Sequence, residues 1–404
     1  MPFRFVHTGD EHIDNDTHGS LDPTTGMNRA WLSNYACLRA IADAAAREGV
    51  DAFIHAGDAT KHGRPTTEAL MLYVDAMAPV VAAGIPVILL GGNHELLQVS
   101  SSHRTPTAVL GEMLSGQGAD VHVYERAPGL LTLPSGAQIA CVPWLSKTWV
   151  LTQTGQTDLN PADGDHAVID YALAHLTAIT DAADAAAPLI LASHMTVSDV
   201  RIDNLAKGNR RGSETDLTSL FAEPVIPRSD LEAFPFSYVG LSHVHARQRV
   251  GDHCFYAGSP NRLTFTDAGD PKSANLVTVG DTNTLASVDY IDTPARDLAD
   301  IHLSDASHPD AIARLTPDSL VRIVLPAGER DMPPSIADAI RSTGATVVEV
   351  KAKPAPVQRR TVTVLPERID PQAALRTWLA EKTPDCDTTD VLAKAAAIAA
   401  EVAS

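Results

Sequence analysis

Short apolar runs alternate with longer, alanine-rich segments through the first half of the chain, and this alternation constrains the fold more than any other feature. The runs at 3–7, 51–55 and 85–90 have the length of buried strands. The segments at 27–48 and 66–83 between them have the periodicity of amphipathic helices. Because strands joined by helical crossovers run parallel, this order predicts a mainly parallel sheet with helices on its faces.

The second half continues the pattern up to about residue 294. Strands are expected at 138–142, 189–192 and 236–241, with a helix at 166–187. Two further segments, 247–257 and 276–291, are typical of antiparallel strands that would close the sheet.

A smaller α/β pattern follows residue 294, with strands at 320–325 and 346–350 around a helix at 335–343. The tail then contains a strand at 361–365 and two short helices at 370–381 and 387–402. At roughly 150 residues per domain, 404 residues correspond to two or three domains. We predict three, at 1–293, 294–366 and 367–404.

Charge and cysteine content exclude several classes of protein. The 31 Lys and Arg residues against 50 Asp and Glu residues give a net charge of −19, which excludes binding to DNA or anionic lipid by bulk charge alone. Bound metal ions can still reverse the sign of a local field. No apolar run has the roughly 20 residues of a membrane helix, and the four cysteines have no paired spacing. We therefore expect a cytoplasmic protein without membrane contact.

Five short polar motifs follow predicted strands, and together they suggest one site. They are Gly9-Asp10-Glu11-His12, Gly57-Asp58, Gly92-Asn93-His94-Glu95, Ser193-His194 and Ser242-His243-Val244-His245. Because chemistry in such sheets gathers beyond the carboxyl ends of the strands, we expect these side chains to converge at one edge.

The residue types in these motifs suit two divalent cations. Residues two apart in an extended segment point to the same side, as do Asp10 and His12, or His243 and His245. A carboxylate such as Asp58 can bridge two ions, while the amide oxygen of Asn93 and the ring of His194 complete a set of seven ligands, listed in full as Asp10, His12, Asp58, Asn93, His194, His243 and His245. Mixed nitrogen and oxygen ligands without sulfur favour manganese, iron or zinc over calcium or magnesium alone. Two such ions activate water and clamp a phosphoryl group.

The order D-x-H, G-D, G-N-H-E, H and H-x-H resembles the calcineurin-like metallophosphoesterase superfamily. The stretches GDATKHGRP at 57–65 and FYAGSPNRLTF at 255–265 narrow the resemblance to the SbcD-type DNA exonucleases. It implies an α/β fold with a two-layer β-sandwich flanked by helices, a small α/β capping domain and a helical C-terminal tail. The superfamily resemblance covers about residues 1–290.

The resemblance also implies roles for individual residues. Asp10, His12 and His245 would hold one metal ion, Asn93, His194 and His243 the other, and Asp58 would bridge them. His94 would be the catalytic histidine that protonates the departing 3′-oxygen. The implied activity is manganese-dependent DNA hydrolysis, as a 3′–5′ exonuclease on duplex ends and an endonuclease on single strands or hairpins.

The candidate DNA contacts carry weaker signals. Where the family has a second histidine, Lys61 stands at the expected offset and His62 follows it, so either residue is a candidate for phosphate contact. Arg64, Arg247 and Arg262 flank the motifs and are candidates to line a DNA groove. Two further features have two interpretations each. The basic segment Arg210-Arg211 is either a solvated loop or a contact to phosphate. Trp144 and Trp149 either pack in the core or stack on bases.

Two other classes of function remain open from the sequence. A small-molecule phosphodiesterase or a protein phosphatase uses the same ligand scheme, and a scaffold subunit could have lost catalysis. The resemblance implies DNA as the substrate and an SbcC-type ATPase as a partner, docked by the tail, and we expect a homodimer.

Overall fold

The computed structural model describes residues 2–96, 104–200, 223–280 and 283–352, together with positions 376, 379, 389 and 391–395. The chain forms two compact units, Met1–Ala352 and Lys353–Ser404, and the described positions of the second are helical. The predicted strand at 361–365, most of both tail helices and Arg210-Arg211 lie outside the described residues. The three-domain division at 293 and 366 stays a prediction.

The first of two large sheets has six strands in the order β14-β13-β1-β2-β3-β4. Strands β1 to β4 are parallel, and β13 pairs antiparallel with both β1 and β14. Their bounds are β1 Phe3–Thr8, β2 Ala52–His55, β3 Val87–Leu90, β4 Val121–Tyr124, β13 Ser273–Val279 and β14 Leu285–Asp292.

The second large sheet has the order β11-β12-β10-β7-β6-β5, with a parallel centre and antiparallel edges. Its bounds are β5 Gly129–Thr132, β6 Gln138–Val142, β7 Leu189–His194, β10 Tyr238–Ser242, β11 Gln248–Arg249 and β12 Cys254–Tyr256. A short parallel pair, β8 Thr196–Val197 and β9 Val225–Ile226, follows β7. The prediction that 247–257 and 276–291 close one sheet is wrong: each forms a hairpin, one in the second sheet and one in the first.

Apolar side chains on both faces of the central strands explain the layered fold. On β1, Phe3 and Phe5 face the second sheet, while Val6 faces the helices. The apolar layer between the sheets joins side chains of β1, β2, β3 and β13 to those of β6, β7, β10 and β12. Strands that are buried on both faces read as continuous apolar runs. The predicted α/β fold with a two-layer sandwich flanked by helices is confirmed.

Helices cover both outer faces of the sandwich. Their bounds are α1 Arg29–Glu48, α2 Thr67–Ala76, α3 Ala78–Ala82, α4 Asn93–Leu96, α5 Pro106–Gly116, α6 Lys147–Thr154, α7 Pro161–Ala182 and α8 Arg228–Glu232. The single helix predicted at 66–83 is two helices, because Pro79 has no N–H to continue the hydrogen bonding of α2 and lies instead in the first turn of α3.

A small parallel sheet of three strands follows, with its own apolar core around Val321, Ile323 and Ile340. Its strands are β15 Leu298–His302, β16 Leu320–Leu325 and β17 Thr346–Ala352, and the helices between them are α9 His308–Ala313 and α10 Pro334–Thr343. The bounds of β16 match the predicted 320–325. Arg322 on β16 pairs with Asp300 and lies over the ring of Phe265, at 4.6 Å from the ring centroid, so this sheet packs directly on the sandwich.

A buried polar group joins the two large sheets beneath the carboxyl end of β1. The Tyr238 hydroxyl lies 2.9 Å from His7 Nδ1 and accepts a hydrogen bond from Asn275 Nδ2 at 3.0 Å. Burial and the nearby His55 lower the pKa of His7 to about 3, so the ring is neutral. Since buried polar groups must be paired, this trio fixes how the sheets face one another.

We expect Tyr238→Phe to destabilise the fold by about 1–3 kcal/mol, because it leaves His7 and Asn275 buried without their shared partner. Urea unfolding followed by circular dichroism measures this. The control Tyr35→Phe removes a surface hydrogen bond to Asp75 and should cost less than about 0.5 kcal/mol. Equal losses in both variants would contradict the role of the trio.

Candidate active site

The five polar motifs meet at one edge of the sandwich, as expected. Asp10 and His12 follow β1, and Asp58 follows β2. Asn93 and His94 begin α4 just after β3. On the second sheet His194 ends β7, and His243 and His245 follow β10; the side chains of all seven predicted ligands are buried or half-buried. Loops from two different sheets therefore build a single site.

Asp10, His12 and His245 form the first group of candidate ligands. One ligand atom from each lies within 4.8 Å of the others. The Nε2 atoms of His12 and His245 are 3.3 Å apart. Ligand atoms at about 2.1 Å from one ion and at right angles lie about 3.0 Å apart, so this spacing fits a shared cation.

Asn93, His194 and His243 form the second group. Asn93 Oδ1 lies 3.0 Å from His194 Nε2 and 3.1 Å from His243 Nδ1. Asp58 Oδ2 stands between the groups, at 3.5 Å from His194 Nε2 and 3.6 Å from His12 Nε2. A carboxylate oxygen that is close to both groups has the position a bridging ligand needs. The donor set therefore fits two divalent ions.

Unfavourable backbone conformations concentrate at this edge. Asp10, His12, Asp58 and His243 have φ angles of 58°, 42°, 59° and 97°, in the left-handed region that side chains other than glycine rarely adopt. Such residues cost free energy and persist where the surrounding structure enforces them, typically at functional sites.

Two glycines allow the loops to approach. A Cβ atom on Gly57, whose φ is 108°, would lie 2.3 Å from His194 Nδ1. A Cβ on Gly92 would lie 2.1 Å from Asp58 Oδ1. No side chain fits at these distances, so the glycines of the G-D and G-N-H-E motifs are required for the ligands to converge.

The profile of the calcineurin-like phosphoesterase family matches residues 3–247. The chain belongs to this family. A curated relative, the SbcD subunit of nuclease SbcCD from Escherichia coli K12, is 25% identical over 72% of this chain and 68% of its own length. Its counterpart in Rhodobacter capsulatus is 26% identical over 95% of this chain and 92% of its own. A solved dimetal phosphatase from Danio rerio is 15% identical, with a TM-score of 0.40 over 72% of this chain and 100% of its own.

The resemblance deduced from the motifs is thus confirmed, and the chain is a metal-dependent phosphoesterase hydrolase with nuclease relatives. Among the helices of the described residues, none combines the length and the apolar character that crossing a bilayer requires. Cys37, Cys141 and Cys254 are buried free thiols in this phosphoesterase.

Electrostatics at the site favour the arrival of cations. Burial opposes ionisation of Asp58, but the His194 and His94 rings hold its pKa well below its usual range. Burial likewise opposes protonation of His194, yet the Asp58 carboxylate raises its pKa to about 9. Burial raises the pKa of Asp10. Protons occupy positions where metal ions would bring positive charge, so metal binding should release protons.

His94 is held by a backbone group. Its Nδ1 lies 2.9 Å from the carbonyl oxygen of Lys61, which requires a proton on Nδ1. Its backbone N–H donates to Asp58 Oδ1 at 2.9 Å, and its Nε2 lies 4.0 Å from Asp58 Oδ2. The Nε2 atom therefore faces the space between the two candidate metal groups.

Glu95 has a different contact from the one its position suggests. Its place next to His94 suggests that it orients that ring, but its buried carboxylate accepts hydrogen bonds from the backbone N–H groups of Gly92, Asp58 and Thr60, at 2.7, 3.1 and 2.8 Å. Burial and the charge of Asp58 raise the pKa of Glu95 to about 7. Glu95 thus fastens together the loops after β2 and β3.

Glu223 has a role at the site that no sequence motif predicted. Its Oε1 lies 3.3 Å from His243 Nε2 and accepts from the Thr196 hydroxyl at 2.9 Å. Burial opposes ionisation of Glu223, but the hydrogen bond from His243 lowers its pKa below the usual value. A carboxylate on Nε2 places the proton there and leaves the Nδ1 lone pair facing Asn93, as carboxylates do for metal-binding histidines.

The five candidate DNA contacts fall into two groups. His62 and Arg64 are exposed in the loop after β2. The other three are held by internal contacts: Lys61 Nζ donates to Asn15 Oδ1, Arg247 donates to Ser273 and lies over Tyr290, and Arg262 donates to the carbonyls of Arg296 and Asp270.

We expect Glu223→Gln to weaken the binding of manganese about 10- to 100-fold, because the amide no longer fixes the tautomer of His243. Isothermal titration of the metal-free protein measures the affinity. Glu232→Gln, which loosens an ion pair with Arg228 on α8, is the matched control and should bind as the wild type does. Unchanged affinity in Glu223→Gln would contradict the role of this carboxylate.

Proposed function

We propose that this protein is the nuclease subunit of a DNA end-processing complex, and that it hydrolyses DNA phosphodiesters at two manganese ions. Its activities are those of a 3′–5′ exonuclease on duplex ends and of an endonuclease on single strands or hairpins. The observation that carries the proposal is the convergence of seven candidate nitrogen and oxygen ligands at one site, with Asp58 between the other six. The similarity to the SbcD subunits of nuclease SbcCD supports DNA as the substrate.

The chain's own residues would supply two metal positions. Asp10, His12 and His245 would hold one ion. Asn93, His194 and His243 would hold the second, and Asp58 would be the ligand shared by both. Mixed imidazole and oxygen ligands favour manganese, iron or zinc over calcium or magnesium alone, and manganese is the metal that we propose. When bound, the metal pair supplies an activated water and offsets the negative charge of the phosphate.

His94 acts as the general acid. The Lys61 carbonyl holds the proton of His94 Nδ1, so the second proton of the charged ring is on Nε2, which faces the site. Transfer of that proton to the departing 3′-oxygen leaves a neutral imidazole and a free hydroxyl. The exposed His62 and Arg64 stand on the same loop as Lys61 and are the better placed of the candidate DNA contacts.

The remaining parts of the proposal concern assembly. The small sheet of β15 to β17 caps the sandwich and orients duplex ends, and the chain works as a homodimer with an SbcC-type ATPase docked by the tail. Support for the partner comes from the Rhodobacter capsulatus relative, a subunit of nuclease SbcCD that is similar over 95% of this chain. A small-molecule phosphodiesterase or a protein phosphatase is the alternative use of the same ligands.

We expect wild-type protein to degrade end-labelled duplex DNA only when manganese is added, and Asp58→Asn to lower the rate at least 100-fold because the bridging charge is lost. Denaturing gels follow the products. Arg341→Gln, which alters an exposed ion pair on α10, should retain wild-type activity. Hydrolysis of bis-p-nitrophenyl phosphate without cleavage of DNA would favour the alternative function.

His94→Asn should lower the rate of DNA hydrolysis about 10²- to 10⁴-fold, because the leaving oxygen loses its proton donor. The rate on a p-nitrophenyl ester of thymidine 5′-phosphate should fall far less, because p-nitrophenolate leaves without a proton. Elemental analysis should find the wild-type content of manganese. A loss of bound metal would show instead that His94 is a ligand, which its proximity to Asp58 and His12 also permits.

A further inference from the structure

A groove with a volume of about 480 Å³ lies beside the candidate metal site. Trp144 belongs to both: it lines the groove, and its ring centroid is 5.1 Å from that of His243 and 6.1 Å from that of His194. Leu96, two residues beyond His94, lines the groove as well. The volume is within the range of about 300–1,000 Å³ that sites for small ligands occupy.

The charge of the groove differs from that of the chain. Arg126 lines it, and no carboxylate of the described residues does, although the chain has a net charge of −19. Among the described residues, no hydrogen-bond acceptor or carboxylate pairs with the Arg126 guanidinium, which is half-buried. A charged group held at a groove wall in this way is available to an anionic ligand.

Helix α6 contributes another part of the groove lining. Its residues Thr148, Trp149 and Gln153 line the groove with a hydroxyl, an aromatic ring and an amide, respectively. Trp149 is half-buried, and its ring packs edge-on against Tyr171 with the centroids 5.8 Å apart, which fixes its orientation. A fixed aromatic ring, a free guanidinium and neutral polar groups are the elements of a site for single-stranded nucleic acid.

We propose that this groove binds an unpaired DNA strand, with a base stacked on Trp149 and a phosphate paired with Arg126. The strand continues past Trp144 to the scissile phosphate at the metal ions. The inference rests on the proposed function and deepens it: the substrate that reaches the metals is a strand already separated from its complement. Duplex DNA, whose bases are stacked on one another, has no free base to place on Trp149.

Binding is measured on the full chain with metal removed by EDTA, using a fluorescein-labelled hexathymidylate and fluorescence anisotropy. Trp149→Leu keeps an apolar side chain but removes the aromatic face, and it should raise Kd about tenfold, because stacking on one base is lost. Trp149→Phe, which keeps an aromatic face, should recover most of the affinity. Arg126→Gln should raise Kd and lower the slope of log Kd against log salt by about 0.7, the value of one phosphate contact on a single strand.

Arg341→Gln changes the net charge equally at a distant exposed site and should leave both Kd and the salt slope unchanged. Failure of the wild type to bind, or wild-type affinity in both Trp149→Leu and Arg126→Gln, overturns the proposal, as does an equal effect of Arg341→Gln. Should Trp149→Leu unfold, as thermal denaturation would reveal, Arg126→Gln decides. Because no metal is present, failure here is separate from failure of DNA hydrolysis.

Discussion

The site depends on the position of one carboxylate. Asp58 Oδ2 lies 3.6 Å from His12 Nε2 and 3.5 Å from His194 Nε2, so it joins ligand groups that belong to two different sheets. The backbone around it is held in turn: Asp58 N–H donates to Glu95, and the Asp58 carbonyl accepts from His12 N–H at 3.0 Å. A loop fixed at both ends can keep a left-handed φ that would otherwise relax.

The packing of the two sheets against each other positions those loops. Apolar side chains between the sheets set their separation, and the Tyr238, His7 and Asn275 trio sets their relative position beneath β1. Because the two sheets cannot slide without exposing apolar surface or breaking these buried hydrogen bonds, the loops at their edge are preorganised. The same packing of the two sheets therefore stabilises the core and sets the spacing of the candidate ligands.

The residues around the candidate ligands are of two kinds: some belong to sequence motifs, and others are found near the ligands only in the folded structure. Gly57 and Gly92 belong to motifs, and the structure explains them by atoms within 2.3 and 2.1 Å of a Cβ. Glu223 carries no such signal, since it lies 20 residues from His243 in a polar segment, yet its carboxylate meets the His243 ring. The backbone carbonyl of Lys61 orients His94, and no sequence pattern could predict this, because every residue has a carbonyl.

The sequence by itself determined the strand and helix order, the five motifs and hence the family, because apolar periodicity and motif spacing are local properties that the chain carries without folding. Only the tertiary structure decided which sheet each hairpin joins, that Glu95 ties two loops together and that Glu223 holds His243. It alone showed that Trp144 lies between the candidate metal site and a groove that Arg126 lines. These are contacts between residues distant in sequence, and they depend on how the layers pack, which no local pattern records.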